Sequence, residues 1–205
     1  MANKILLTGV SGSGKTYSLR NLDATSTFII CPDEKNPPFS GWRKNYKMVD
    51  ESGVFNPATC NYYKVTAWDK IQKVLKFISE NRKEIKTVVI DTITYAMIAE
   101  FMQKAKITGY GKFTEMGANV YETLKMIDGL REDLTIVVLA HTEQKEINGI
   151  SKSVFSVPGG KMVQDVVKPE GMFMITLETL VEKTGDDVKY YYMVSNNTTN
   201  MAKVP

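Results

Sequence analysis

The segment that most constrains the fold is Gly9-Val10-Ser11-Gly12-Ser13-Gly14-Lys15-Thr16. It matches G-x-x-x-x-G-K-[ST] at every fixed position. A short apolar run, Lys4–Thr8, precedes it and reads as a buried strand. Thr16–Leu22 follows without a breaker and reads as a helix. A strand that turns through glycines into a helix aims successive backbone N–H groups into one concavity. The helix start adds about half a positive charge. Phosphate is the ligand that suits such a cradle. Lys15 would neutralise β- and γ-phosphates, and the Thr16 hydroxyl would ligate Mg²⁺. Gly9, Ser11, Gly12, Ser13, Gly14, Lys15, Thr16 and the adjoining Tyr17 are therefore the expected nucleotide contacts.

Further apolar runs continue the pattern. Phe28–Cys31, Thr87–Ile90 and Thr135–Ala140 are short, β-branched and bounded by polar or turn residues, as buried strands are. Between them, Ile71, Val74, Leu75 and Ile78 fall at helical spacing. Asp69, three residues after Thr66, suggests a capping box at that helix's start. Two more helices are expected, from Thr94 to about Lys106 and from beyond Gly111 to about Arg131. Strands at Met172–Val181 and Val188–Val194, joined by Lys183-Thr184-Gly185-Asp186-Asp187, read as a hairpin. The alternation predicts an α/β fold: a mostly parallel sheet with helices on both faces and a C-terminal antiparallel hairpin. One domain is expected over 1–205. Residues 32–60 read as an irregular insertion with a small hairpin, and 143–160 as a long polar loop.

Composition narrows the function. The 205 residues carry 26 basic and 23 acidic side chains, a net charge of +3, too balanced for bulk charge to select nucleic acid. Only Arg20, Arg43, Arg82 and Arg131 are arginines, which staffs an Arg-rich kinase lid poorly. Cys31 and Cys60 form no CxxC pair, and with one histidine there is no zinc constellation. No apolar run approaches the ~18 residues that span a bilayer. The apolar stretch after Met1-Ala2-Asn3-Lys4 is too short for a signal peptide, so a cytoplasmic protein with no membrane partner is expected.

Thr87-Val88-Val89-Ile90-Asp91 supplies the second element of a phosphate site, an apolar strand ending in a carboxylate. Asp91 would hold Mg²⁺ beside Thr16. No N/T-K-x-D guanine reader is present. The open readings are an ATPase that moves or assembles something, a small-molecule phosphotransferase using 32–60 as its pocket, and a non-catalytic nucleotide-gated adaptor.

The order of phosphate loop, FIICPDE, VVIDT, a helix pair split by a glycine loop, and IVVLAHT resembles the RecA-like core ATPases. The tail, PGGKMVQD followed by TGDDVKYYYMV, looks closer to small phage-encoded Sak-type ATPases of single-strand annealing and recombination. The resemblance implies a RecA-like P-loop core, ATP with Mg²⁺, single-stranded DNA as partner, homo-oligomers, and a single-strand binding protein as a further partner. It places a catalytic carboxylate after the second core strand, at Glu34 with Asp33 beside it, and leaves the choice between them open. Lys15, Asp91 and a γ-phosphate sensor at His141 would complete the catalytic set. Two loops would face DNA: one with Lys106, Tyr110 and Lys112, the other with Lys145, Lys152 and Phe155. Lys161 or Lys168 would reach a neighbour's γ-phosphate in trans.

Overall fold

A computed structural model describes residues 2–158 and 162–205. Eight strands form one sheet: β1 (Asn3–Gly9), β2 (Thr27–Cys31), β3 (Tyr62–Lys64), β4 (Thr87–Ile90), β5 (Thr135–Ile147), β6 (Ile150–Phe155), β7 (Ile175–Thr184) and β8 (Asp187–Met193). Their order is β3-β2-β4-β5-β1-β7-β8, with β6 paired to the far half of β5. Every pairing from β3 to β7 along that path is parallel, and β7–β8 is antiparallel.

Side chains alternate across the central strands. Leu6, Phe28, Ile30, Val88, Ile90, Ile136 and Val138 face one core. Leu7, Ile29, Cys31, Val89 and Leu139 face the other. The first core is covered by α3 (Trp68–Asn81), α4 (Ile93–Gln103) and α5 (Gly111–Met126). The second is covered by shorter pieces: α1 (Lys15–Ser18), the 3₁₀ turn Leu19–Asn21, and the segment around α2 (Trp42–Asn45) with Phe39, Trp42 and Tyr46. Helices thus lie on both faces, but all the long ones lie on one.

Several local expectations need correction. The helix after the phosphate loop is one turn of α-helix plus a 3₁₀ turn, not a continuous Thr16–Leu22 helix. So short a helix adds little macrodipole, and phosphate binding there rests on the loop N–H groups and Lys15. The capping box at Thr66 does not form: α3 begins at Trp68 behind Ala67, with no side-chain cap. The irregular insertion holds α2 rather than a hairpin, and β3, only three residues long, was too short to show periodicity. Of the polar loop expected over 143–160, residues 143–155 form instead a hairpin of β5 and β6, and 159–160 lie outside the described residues. Its turn is Asn148-Gly149, with φ of 54° and 76°. Two consecutive positive φ values match the right-handed strand twist, the reason Asn-Gly favours tight hairpins.

Parallel registry brings the chemistry together. Gly9 of β1 pairs with His141 of β5, and Ile30 of β2 pairs with Ile90 of β4, one residue before Asp91. The C-terminal ends of β1, β2, β4 and β5 therefore meet at one edge, where ligands bind in open α/β sheets.

Candidate functional site

A cavity of about 750 Å³ opens at that edge. Ser11, Gly12, Ser13, Gly14, Lys15, Thr16 and Tyr17 line it from the phosphate loop and the turn after it, Asp33 from beyond β2, Asp91 from just beyond β4, and His141 from β5. Gly9 contributes its backbone. The Lys15 ammonium donates to the carbonyls of Gly9 at 2.7 Å and Val10 at 2.8 Å, so the loop's own oxygens hold it. Burial lowers the Lys15 pKa to about 8 against the opposing pull of Asp91.

A serine and two threonines fix the loop. Ser13 Oγ donates to Val10 O at 2.7 Å and lies 2.5 Å from Thr179 Oγ1 of β7, which donates to Thr8 O at 3.1 Å. A Cβ on Gly9 would collide with that same Thr179 hydroxyl, so the close approach of β7 requires glycine there. Thr179 was missed from sequence because it joins the loop from the far end of the chain.

Asp91 is almost wholly buried. Its Oδ1 accepts from Thr16 Oγ1 at 3.0 Å and Thr92 Oγ1 at 3.0 Å. Burial first, and the charge of Asp33 beside it, push its pKa up to about 6, against the hydrogen bonds and Lys15. A hydroxyl and a carboxylate in contact, facing a cavity, form the oxygen donor set a hard cation prefers, so the residues fit Mg²⁺.

The two acids after β2 separate. Asp33 lines the cavity, while its Oδ1 accepts from the Lys35 N–H at 2.9 Å and from the Cys31 thiol at 3.1 Å. Glu34 is exposed at φ 57°, and it is not among the lining residues. His141 is half-buried; Thr94 Oγ1 accepts its backbone N–H at 3.0 Å, and its ring meets Tyr95 edge-on with centroids 5.6 Å apart. Burial, then the charges of Lys15 and Lys35, lower its pKa to about 4, so it is neutral near pH 7. Tyr95, Lys35 and the tyrosines of β8 also line the cavity, none of them signalled by a motif.

The expected DNA residues are dispersed. Tyr110, 89% exposed, and Lys106 stand on the tip between α4 and α5. Lys112 is spent there on the carbonyl of Ile107 at 2.7 Å. Lys145 and Lys152 are cross-strand partners on the β5–β6 hairpin. Phe155 offers no stacking face: at 2% exposure it belongs to the core. Its strand position explains the error, since the run Ile150–Phe155 turns its end inward where β6 returns to the sheet. Lys168 is exposed and is not among the lining residues, and Lys161 lies outside the described residues. Arg82 and Arg131 donate to backbone carbonyls, Arg43 lies over Trp42, and only Arg20 reaches the cavity. Among the described residues, no helix is long and apolar enough to cross a membrane.

No curated protein matches the chain. A solved structure, the KaiC-like protein PH0186 from the hyperthermophilic archaeon Pyrococcus horikoshii OT3, is similar with a TM-score of 0.53 at 12% identity. The match covers 93% of this chain and 78% of that one, and it shows a shared RecA-like fold. A family model described as an AAA domain, AAA_24, matches residues 1–205, and the chain belongs to that family of P-loop ATPases.

Proposed function

We propose that this chain is a Mg²⁺-dependent ATPase whose turnover is coupled to single-stranded DNA, as in recombination or annealing. The observation that carries the coupling is the continuity of β5. One strand runs from the parallel core, past His141 at the cavity, and out into the hairpin bearing Lys145 and Lys152. One continuous strand thus joins the cavity to a hairpin that carries exposed Lys145 and half-buried Lys152, with Glu143 and Glu146 alongside. The Tyr110 tip, with Lys106, offers a second surface where a base can stack. The Sak-type resemblance of the tail supports the same reading.

The chemistry follows from placement. Lys15 leaves the two loop carbonyls to meet the phosphates. Thr16 and Asp91 would hold Mg²⁺, which would supply positive charge for the phosphoryl oxygens. Asp33, rather than Glu34, accepts a proton from the attacking water, because it is the acid that lines the cavity. Neutral His141 senses the γ-phosphate by donating its one ring N–H to a phosphoryl oxygen. Assembly of copies, with Lys168 of one completing the site of the next, belongs to the same proposal.

The test is steady-state hydrolysis with and without oligonucleotide. Single-stranded DNA should raise the rate, and Lys145→Ala with Lys152→Ala should remove the rise while sparing basal turnover. Anisotropy with an ATP analogue should show binding that falls with salt, at a log–log slope of about −0.7 per phosphate contacted. No binding at low salt, with turnover instead answering to a small hydroxyl acceptor, would favour the phosphotransferase reading.

A further inference from the structure

We infer that the base of the nucleotide is held here by stacking against tyrosines and not by reading of its edge, so that purine nucleoside triphosphates bind as a class and ATP and GTP are held alike. This rests on the phosphate-loop reading of Gly9–Thr16. The starting observation is an aromatic wall that the fold does not use. Tyr190, Tyr191 and Tyr192 lie on β8, the free edge of the sheet, and are 61%, 43% and 48% exposed. None joins either hydrophobic core, yet all three residues border the nucleotide cavity; Tyr190 and Tyr192 share one face of β8, and Tyr191 lies on the other. The ring of Tyr190 stands against the phosphate loop itself: its Cδ1 would lie 3.1 Å from a Cβ on Gly14.

Tyr17 faces the same cavity from the loop. The Arg20 guanidinium lies 4.3 Å from its ring centroid and donates to its carbonyl at 3.3 Å. One face of Tyr17 is thereby occupied and its plane is held. A bicyclic purine offers more stacking area to such rings than a pyrimidine does, and stacking does not distinguish adenine from guanine.

Discrimination between the two purines needs a fixed donor or acceptor, buried so that the wrong base leaves it unpaired. Adenine presents a donor at its 6-position and guanine an acceptor. Among the described side chains on this wall, donor-only Arg20 is exposed and engaged on Tyr17, so water satisfies it beside either base; Asn21 is exposed too, and its amide carries both a donor and an acceptor. The tyrosine hydroxyls are equally ambivalent. Each can turn to suit either base, and water satisfies whatever is left over.

Calorimetric titration of the wild-type chain with ATP, GTP, CTP, UTP and inorganic tripolyphosphate, all with Mg²⁺, tests this. ATP and GTP should agree within about threefold, and CTP and UTP should bind roughly tenfold more weakly. Tyr190→Ala should weaken ATP and GTP alike, by roughly tenfold, with tripolyphosphate unchanged as the check that the loop remains folded. Tyr17→Leu should act in the same direction, and Tyr190→Phe should restore purine binding. A hundredfold preference for ATP over GTP would overturn the inference, as would tyrosine variants that leave purine affinity intact or weaken tripolyphosphate equally. If tripolyphosphate binds and ATP gains nothing over it, the base wall alone is refuted. If neither binds, the phosphate-loop reading falls and takes the base wall with it.

Discussion

Replacing Asp91 with asparagine should make the ligand-free protein more stable while removing its metal. Burial lifts this carboxyl from 3.8 to about 6. The folded state therefore binds the Asp91 proton more tightly than the unfolded chain does. The stability this gives is present in full below 3.8 and is lost as pH rises through about 6. At about 1.4 kcal/mol per pH unit, the loss approaches about 3 kcal/mol above neutrality. Asparagine keeps the oxygen that accepts from Thr16 and Thr92, and it carries no charge to desolvate. It forfeits the attraction to Lys15, so the net gain should be about 1–3 kcal/mol. For a chain this long that is a rise in Tm of roughly 3–10 °C. Thermal unfolding in a chelator at several pH values reads it directly. The advantage of the variant should be small near pH 4, grow through pH 6 and level off above 7. With Mg²⁺ and nucleotide the order should reverse, since the wild type gains the more binding energy. A variant no more stable than wild type at pH 8 without metal, or an advantage independent of pH, would mean that burial of the Asp91 charge costs the fold little.

Two further outcomes follow from the same geometry. Asp33→Asn should spare nucleotide binding and lower turnover about 10²-fold, while Glu34→Gln should leave single-turnover rates near wild type; the reverse result would return the role to Glu34. The pH profile of kcat/KM should be bell-shaped, rising through about 6 as Asp91 loses its proton and falling above about 8 as Lys15 does; His141, near 4, should add no limb between them.

Much of this architecture was legible because it is local. The phosphate loop is eight contiguous residues, and Thr87–Ile90 forms a strand with the bounds expected. Asp91 could be placed because an apolar strand of fixed length delivers its next residue to the sheet edge. What stayed hidden depends on contacts between distant segments. Thr179 meets Ser13 across 166 positions, and no spacing rule reaches that far. Tyr190 belongs to a strand exposed along nearly its whole length, so hydropathy alternation could not assign its faces. The β5–β6 hairpin was a different failure. Its signal, Asn148-Gly149 between two strand-length runs, stood in the sequence, but the charged residues flanking it read as loop. Phe155 followed that error, since an aromatic in a supposed loop reads as exposed while the same residue at the end of a strand returns to the core.

A metal-dependent triphosphate site built on Lys15 and Asp91 stands or falls on ATP binding by Lys15→Ala. Lys15 touches loop carbonyls rather than the hydrophobic core, so its removal opens no cavity in either cluster. Titration calorimetry of folded Lys15→Ala with Mg²⁺ and ATP should show most of the binding gone, while its unfolding transition stays close to that of the wild type. ATP binding as tight as in the wild-type protein would contradict the assignment.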